Sequence, residues 1–193
     1  MNTTLIEIVP YRASWPQEFK QYGQILRSEL GDLALRIDHI GSTSVPFLAA
    51  KDIIDIQVTV SDFSPQVEFA ICRAGYERLA TITHDHLPPG APDREEEWKK
   101  WFFKSLPPER RINLHVRLAG HANQRYPLLF RDYLRANLLA AQTYAQIKNK
   151  LAQHFASDID AYYDVKDPVC DLIIGAAEIW AKEYAWKQGP SDC

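Results

Sequence analysis

A short hydroxyl-rich turn between two apolar runs is the feature that most constrains how this chain can fold. One run ends at Ile40, and the second occupies residues 53–60. Glycine permits tight turns and close approach of a ligand, and hydroxyl groups can donate hydrogen bonds to phosphate oxygens. The segment indicates a strand, a turn and a second strand, and the candidate phosphate-binding residues of the turn are Gly41, Ser42, Thr43 and Ser44. The alternative is an ordinary polar turn.

The second run assigns its residues to two faces, because successive side chains of a strand point to opposite sides of a sheet. One face would be wholly apolar, with Ile54, Ile56, Val58 and Val60. The other face would carry Asp55, with Gln57 beside it. A carboxylate in a strand is costly to bury without a cation, hydrogen-bond donors or a metal. Asp55 is therefore either a site residue or a structural carboxylate.

A later run, 111–118, repeats this arrangement. Its apolar residues alternate with Arg111, Asn113, His115 and Arg117, which would share the opposite face. A neutral histidine can bind a metal, and near its ordinary pKa it can act as an acid or a base. His115 is therefore a second candidate site residue, and the alternative is a hydrogen-bonded structural histidine.

These residues carry a resemblance to known proteins. Gly41-Ser42, followed by Asp55-Ile56-Gln57, resembles the signature of the nucleotidyltransferase superfamily, in which Gly-Ser precedes a strand bearing Asp-x-Asp or Asp-x-Glu. The chain more specifically resembles the GrpB family of small bacterial proteins. The segments that carry this second resemblance are Val9-Pro10-Tyr11, Trp15-Pro16, 39–46, Lys51, 54–56, 113–116, 131–135, Tyr144, Lys148, Tyr162 and Lys166.

The resemblance implies an α/β fold of the nucleotidyltransferase type, with a mixed β-sheet, flanking helices and a helical C-terminal part. Residues 1–120 would form the core, and residues 121–193 the helical region packed on it. The implied function is binding of a nucleotide or other phosphorylated metabolite, with transfer of a nucleotidyl group from a nucleoside triphosphate.

The resemblance also implies roles for single residues. Asp55 and His115 would be catalytic and, with Gln57, would hold a divalent metal, Mg or Mn. Lys51 would neutralise phosphate charge beside the turn. If the helical region closes over the sheet, Arg131 and Lys148 would face the site, and arginine suits bidentate contacts to phosphate. The alternative for these two cations is an ordinary solvent-facing position.

Three positions depart from the family pattern. Gln57 stands where the superfamily has a second carboxylate, and Phe47 and Asp52 stand where GrpB proteins usually have Gly and Pro. Asp52 lies three residues from Asp55 and would face the other way on a regular strand. The missing carboxylate favours an alternative function, an accessory or regulatory module without catalysis, as the GrpB-like domains fused to dephospho-CoA kinase imply.

A third interpretation is a metal-dependent hydrolase that uses His84, His86 and His115. The first two histidines would share a face of an extended segment, but the sequence around them shows no helical zinc motif. Structural roles are the alternative.

Composition excludes several function classes. With 22 Lys and Arg against 25 Asp and Glu, the net charge is −3, so nonspecific nucleic-acid binding is not expected. The sequence has no apolar run of membrane-spanning length, and its start lacks the pattern of a signal peptide. The three cysteines, Cys72, Cys170 and Cys193, are too few and too scattered for a disulfide framework. We therefore expect a cytoplasmic protein without a membrane role, whose partner is a small phosphorylated molecule.

Hydrophobic periodicity and turn residues predict the order of elements. The predicted strands are 5–9, 35–40, 53–60, 76–81, 101–106 and 111–118, and the predicted helices are 16–30 and 65–74. Residues 85–100 are expected to form an exposed loop. From about residue 123 the pattern is helical, with one continuous apolar stripe over 134–155 and another over 169–184, after a break at Asp167-Pro168. Cys170 is expected in the core.

Overall fold

The computed structural model describes residues 5–91 and 94–193. Within these residues, five strands and five α-helices follow one another along the chain. The strands are β1 (Arg36–Ile40), β2 (Ile54–Val60), β3 (Tyr76–Arg78), β4 (Trp101–Ser105) and β5 (Ile112–Leu118). The helices are α1 (Trp15–Leu30), α2 (Pro65–Arg73), α3 (Ala122–Ala136), α4 (Leu138–His154) and α5 (Ile159–Glu183). This is the mixed α/β architecture with a helical C-terminal part that the resemblance implies.

The strands form one sheet in the order β1-β2-β5-β4-β3. The central strands β2 and β5 are parallel, and the other neighbours are antiparallel. The register of the central pair places Asp55 opposite Asn113, and Gln57 opposite His115. The polar faces predicted for two distant strands therefore lie side by side.

The opposite face of the sheet forms the main core. Ile56 of β2 and Leu114 of β5 are fully buried there, and α1 covers them with side chains such as Trp15 and Phe19. On the polar face, Gln57 is also fully buried, because α3 packs over it. The sheet is therefore covered on both sides, and the polar groups of β2 and β5 face the helical region rather than open solvent.

Two predicted features of the helical region are wrong. The apolar stripe over 134–155 is not one helix, since Asn137 separates α3 from α4. Conversely, α5 runs without a break through Pro168. Proline leaves the carbonyl of Asp164 without its helical partner, but both residues are exposed, so water can satisfy that carbonyl.

Predictions for other parts of the chain also differ from the structure. Segment 5–9 is not a strand: Val9 forms an isolated β-bridge with Ala50, and the backbone N–H of Ile6 donates to the carbonyl of Ala156. The loop over 85–100 is not exposed throughout, because Trp98 is 6% exposed and a 3₁₀ turn spans Glu95–Trp98. Cys170 is half-buried: it packs against a core cluster that includes Leu134 and Tyr144, and it also lines a cavity. In the part of the chain that the structure describes, no helix has both the length and the apolar character needed to cross a bilayer.

Candidate functional site

The turn after β1 and the carboxylate of β2 are in direct contact. Gly41 has φ of +69°, a conformation that favours glycine. A Cβ at this position would lie 2.9 Å from Cγ of Asp55. Only glycine therefore provides both the backbone conformation and the space that this contact requires, and the predicted pairing of turn and carboxylate is present in the fold.

Asp55 has its partners on β5. The Nδ2 atom of Asn113 donates to Asp55 Oδ1 over 2.9 Å, and His115 Nε2 lies 3.9 Å from the same oxygen. Burial alone would raise the pKa of Asp55, but the contacts with His115 and Asn113 outweigh it and lower the pKa. Burial, followed by the nearby Arg117 guanidinium, lowers the pKa of His115 to about 4. At neutral pH the site therefore holds an ionised carboxylate and a neutral imidazole.

The three hydroxyl groups of the turn are not equivalent. Thr43 and Ser44 are buried. The Thr43 hydroxyl lies 3.0 Å from Nε2 of His39, and Ser44 Oγ donates to the carbonyl of Gly41 over 2.6 Å. Ser42 is half-buried and lines the cavity, together with Gly41 and Thr43. Of the predicted phosphate donors, Ser42 therefore faces a ligand-sized space, whereas the hydroxyls of Thr43 and Ser44 hold the turn in shape.

Lys148 and Lys51 lie at the same turn, and we call them the lysine pair. The Nζ atom of Lys148 lies 2.8 Å from Ser42 Oγ and 2.6 Å from the carbonyl of Ala49, and the residue is 3% exposed. The Nζ atom of Lys51 donates to the hydroxyl of Tyr163 over 2.5 Å. Neither lysine forms an ion pair with a carboxylate of the described residues. Burial, followed by the charge of the neighbouring Lys166, lowers the pKa of Lys148 to about 7.

The structure does not bring Arg131 to the cavity. Its Nη1 donates to the carbonyl of His39 over 3.0 Å and to Asp192 over 2.7 Å, and its Nε donates to Asp132. Arg135, one turn along α3, donates to the carbonyl of Ser44. Both arginines therefore hold β1 and the turn through backbone carbonyls.

Gln57 is fully buried among protein partners. Its Oε1 accepts from Nη1 of Arg117 over 2.8 Å, and its Nε2 donates to the carbonyl of Gln124 over 3.0 Å. Arg117 also forms a two-point ion pair with Asp85, which in turn binds Lys100 over 2.7 Å. We call Asp85, Lys100 and Arg117 the paired cluster. Within it, a single carboxylate neutralises two buried cations, and these contacts lower the pKa of Asp85 despite its burial.

This arrangement tests the metal site that the superfamily resemblance implies. A two-metal site needs several carboxylate ligands for its positive charge. Here the second carboxylate position is Gln57, whose oxygen already accepts from a cation, and Arg117 lies 3.3 Å from Nδ1 of His115. The residues present do not fit a two-metal site. Binding of a single divalent ion by Asp55 and His115 stays a prediction.

The histidine-based hydrolase site is not assembled either. His86 pairs with Asp171 over 2.9 Å, and His84 lies beside Thr83 and Glu95. Over residues 5–91 and 94–193, no group of three or more His, Cys, Asp and Glu side chains is placed to hold a metal ion.

The two remaining departures from the family pattern lie away from Asp55. Asp52 accepts hydrogen bonds from Arg12, Trp15 and Arg110, so it does not supply the missing ligand. Phe47 has φ of +64° and is 83% exposed. The turn therefore keeps the backbone conformation that glycine favours, although a bulky residue occupies it.

A cavity of about 1030 Å³ unites these groups. It lies between the polar face of β2 and β5, residues of 82–86 and 98–100, and helices α3 to α5. Seven of its described lining residues are cationic and three are acidic, although the whole chain has a net charge of −3. The aromatic lining comes from both the sheet and the helices and includes Phe102, Tyr126, Phe130, Tyr162 and Tyr163.

Sequence reasoning missed several residues of this cavity. Arg117 lies on the face of β5 that alternation predicts, but its contacts with Asp85 and Gln57 have no counterpart in the sequence pattern. Lys104 lies on β4, between β5 and β3, and lines the cavity. The available signal was the alternation of polar residues along β5, whereas β4 carries Lys104 as its single charged residue.

The family model described as GrpB protein matches residues 5–175. The chain belongs to the GrpB family. The crystal structure of the conserved protein GrpB from Enterococcus faecalis is 30% identical, has a TM-score of 0.74, and is covered over 99% of its chain by 90% of this one. The family assignment made from the turn and strand motifs is confirmed.

Two further comparisons concern length and fold. This GrpB-family protein is 36% identical over 196 residues to a dephospho-CoA kinase of Mycolicibacterium paratuberculosis, with 94% of this chain covered but only 48% of the kinase. The chain thus spans about half the length of that curated relative. The GLD-2/RNP-8 complex gives a TM-score of 0.52 at 8% identity, covering 95% of this chain and 63% of that one. This likeness shows the nucleotidyltransferase-like fold.

Proposed function

We propose that this GrpB-family protein binds a nucleotide or another phosphorylated metabolite in the cavity between the sheet and the C-terminal helices. The observation that carries the proposal is the lysine pair. Lys148 is almost wholly buried, and Lys51 is held against tyrosine rings, yet neither lysine forms an ion pair with a carboxylate of the described residues. A buried charge without a counterion is costly, and a bound anion would supply that counterion.

The position of the lysine pair favours phosphate as the anion. The pair flanks a turn in which Gly41 brings the backbone close to the space and Ser42 presents its hydroxyl. Backbone amides, hydroxyl groups and lysine ammonium groups are the usual donors to phosphate oxygens.

The rest of the cavity suits the remainder of a nucleotide-sized molecule. Its volume lies at the upper end of the range for small-molecule sites, which is about 300–1,000 Å³. The aromatic residues Phe102 and Tyr126 offer ring surfaces on which a planar base can stack. The name of the kinase relative makes dephospho-CoA one ligand to include in a test.

We favour binding over metal-dependent transfer because of the contact between Arg117 and Gln57. A cation at that position opposes a divalent ion instead of holding it. The function that fits this contact is an accessory or regulatory module that responds to a phosphorylated ligand.

Thermal unfolding tests the proposal, since a ligand that binds only the native state raises the unfolding midpoint. We would measure the midpoint with nucleoside triphosphates, dephospho-CoA and inorganic phosphate, each with and without Mn²⁺. At a ligand concentration of about 100 times Kd, the expected stabilisation is about 2.7 kcal/mol. The increase should be lost in Lys51→Met and kept in Lys150→Met, because Lys150 is an exposed residue of α4.

The outcomes separate the alternatives. No increase with any compound in the wild type would overturn the proposal. An increase that needs Mn²⁺ and disappears in Asp55→Asn would instead support metal-dependent nucleotidyl transfer.

A further inference from the structure

The contact between Ser42 and Lys148 has a geometry that phosphate binding alone does not require. The Nζ of Lys148 is held at 2.8 Å from Ser42 Oγ and 2.6 Å from the Ala49 carbonyl, so two of the three N–H donors of its ammonium form already have acceptors within the protein. Ser42 is the hydroxyl of the turn that lines the cavity. A nucleophile next to a base, with the base oriented by a third group, is the arrangement of covalent catalysis.

The direction of the Ser42 contact depends on the protonation state of Lys148, since the ammonium form donates to Ser42 Oγ. The Ala49 carbonyl can only accept, so Lys148 donates one N–H to it. As a neutral amine, Lys148 has a lone pair left, and it can accept the hydroxyl proton of Ser42. The same contacts thus hold the amine in the orientation that a general base needs.

Burial and two neighbouring cations favour the neutral form of Lys148. Burial comes first, and the cations Lys166 of α5 and Lys51 act in the same direction, while Cys170 of α5 and Asp55 of β2 oppose them. The Tyr144 ring of α4 lies 4.6 Å from the ammonium position. The resulting pKa of about 7 means that a large fraction of the protein carries a neutral Lys148 at physiological pH.

We propose that Ser42 is a nucleophile and Lys148 its general base, and that the pair transfers a phosphoryl group from the bound ligand to the serine hydroxyl. The ligand class rests on the function proposed above. The Ser42 Oγ–H bond breaks and its proton goes to Lys148 Nζ. The Oγ–P bond forms while the bond from phosphorus to the leaving oxygen breaks, and that oxygen takes the proton back from Lys148. The products are a serine phosphoester and the free alcohol or phosphate of the ligand.

The surroundings select this serine and this electrophile. The Thr43 hydroxyl contacts His39 and the Ser44 hydroxyl donates to the Gly41 carbonyl, so Ser42 is the hydroxyl of the turn that lies beside a lysine. Lys51 and Lys166 line the same cavity, where they can stabilise the negative charge on the phosphoryl oxygens during transfer.

A fluorophosphonate tests the nucleophile without depending on ligand recognition, because it phosphonylates activated serines. We would incubate the folded full chain with this probe, locate the adduct by peptide mass spectrometry, and measure the labelling rate from about pH 6 to about pH 9. The expected result is one adduct on Ser42, absent in Ser42→Ala. Its rate should rise with pH and level off above about 7, where Lys148 is neutral.

The substituted proteins distinguish a base from a structural lysine. Lys148→Arg keeps the charge but cannot accept the proton, and we expect it to slow labelling by roughly 100-fold. Lys150→Arg, on the same helix but exposed, should label at the wild-type rate. If Lys148→Arg does not fold, the pH profile of the wild type decides, since a profile without an inflection near 7 contradicts a base at this position.

The remaining outcomes separate this proposal from the binding function. Failure of the folded wild type to label, together with a midpoint increase from a phosphorylated ligand, would overturn the nucleophile and leave the binding function in place. Labelling of Ser42 without any ligand-induced increase in the unfolding midpoint would support the nucleophile and overturn the binding function.

Discussion

The paired cluster and the lysine pair line the same cavity, but they differ in how their charge is neutralised. In the paired cluster, Asp85 contacts both Arg117 and Lys100, and all three side chains are largely buried. In the lysine pair, Lys148 is as buried but contacts only neutral oxygens. The first arrangement pairs its charges within the fold, whereas the protonated form of the second has no ion-pair partner among the described residues. A charged cavity can therefore contain one region that stabilises the protein and another that binds a ligand.

The largest effect should come from removing the carboxylate of the paired cluster. Asp85→Asn leaves Arg117 and Lys100 buried without a counterion, and we expect the free energy of unfolding to fall by roughly 3–5 kcal/mol. Urea denaturation at neutral pH measures this loss of free energy of unfolding. The matched control is Asp62→Asn, which changes an exposed acid next to β2 and should have little effect. Equal effects of the two substitutions would contradict the structural role of the paired cluster.

The contact between the turn and Asp55 should be nearly as sensitive. Gly41→Ala adds strain at positive φ and places a methyl group against the carboxylate, with an expected loss of roughly 2–4 kcal/mol. Gly120→Ala has φ of +80° but open space around the new methyl group, so it measures the strain alone. The difference between the two, obtained from the same denaturation curves, gives the cost of displacing Asp55. A difference near zero would mean that Asp55 is free to move.

The pH dependence of stability sharpens the comparison at Lys148. The unfolded residue has its ordinary pKa of about 10.4, while burial and Lys166 lower the folded value to about 7. Between these values the unfolded chain binds a proton that the folded chain does not, so stability must rise with pH. In this window the free energy of unfolding of the wild type should rise by up to about 1.4 kcal/mol per pH unit relative to that of Lys148→Met. Denaturation at about pH 7 and about pH 9 measures the difference. Parallel pH curves for the two proteins would show that Lys148 titrates normally.

The smallest effect concerns Phe47 at the end of the turn. Phe47→Gly removes a bulky residue from positive φ at an exposed position, and we expect a gain of up to about 1 kcal/mol. The gain is reduced by the lost contact with the Tyr11 ring, 5.8 Å away, and by the greater freedom of glycine in the unfolded chain. The change in stability is measured by thermal denaturation and compared with that of Ala185→Gly, a substitution at another position of positive φ (+49°). A net loss of stability in Phe47→Gly alone would show that the aromatic contact outweighs the strain.

The sequence predicted the site best where local pattern decides position. Alternation placed Asp55 and His115 on polar faces, and the turn was predicted from Gly41 and its hydroxyl neighbours. The pattern could not show that β2 and β5 are adjacent and parallel, because that depends on the order of strands in the sheet.

The limits are clearest for two cations that the sequence treated alike. Lys148 and Arg131 were both expected at the phosphate, but only Lys148 reaches the cavity, since the rotation of α3 turns Arg131 toward Asp192 and β1. Asp85 lies in an irregular segment, where periodicity carries no information about a partner 32 residues away. Its pairing with Arg117 is decided by tertiary packing.

The pairing of β2 with β5 also determines when this protein is most exposed to misassembly. The edge of β2 that β5 covers stays open until a segment 58 residues farther along the chain arrives, as the distance in sequence between Asp55 and Asn113 shows. Contacts of such separation form late in folding, because chain entropy is lost before they are made. During synthesis, β1 and β2 leave the ribosome before β5 does, and an uncovered strand edge is a template for pairing with another chain. The strand that carries Asp55 is thus also the strand through which nascent copies of this chain can associate.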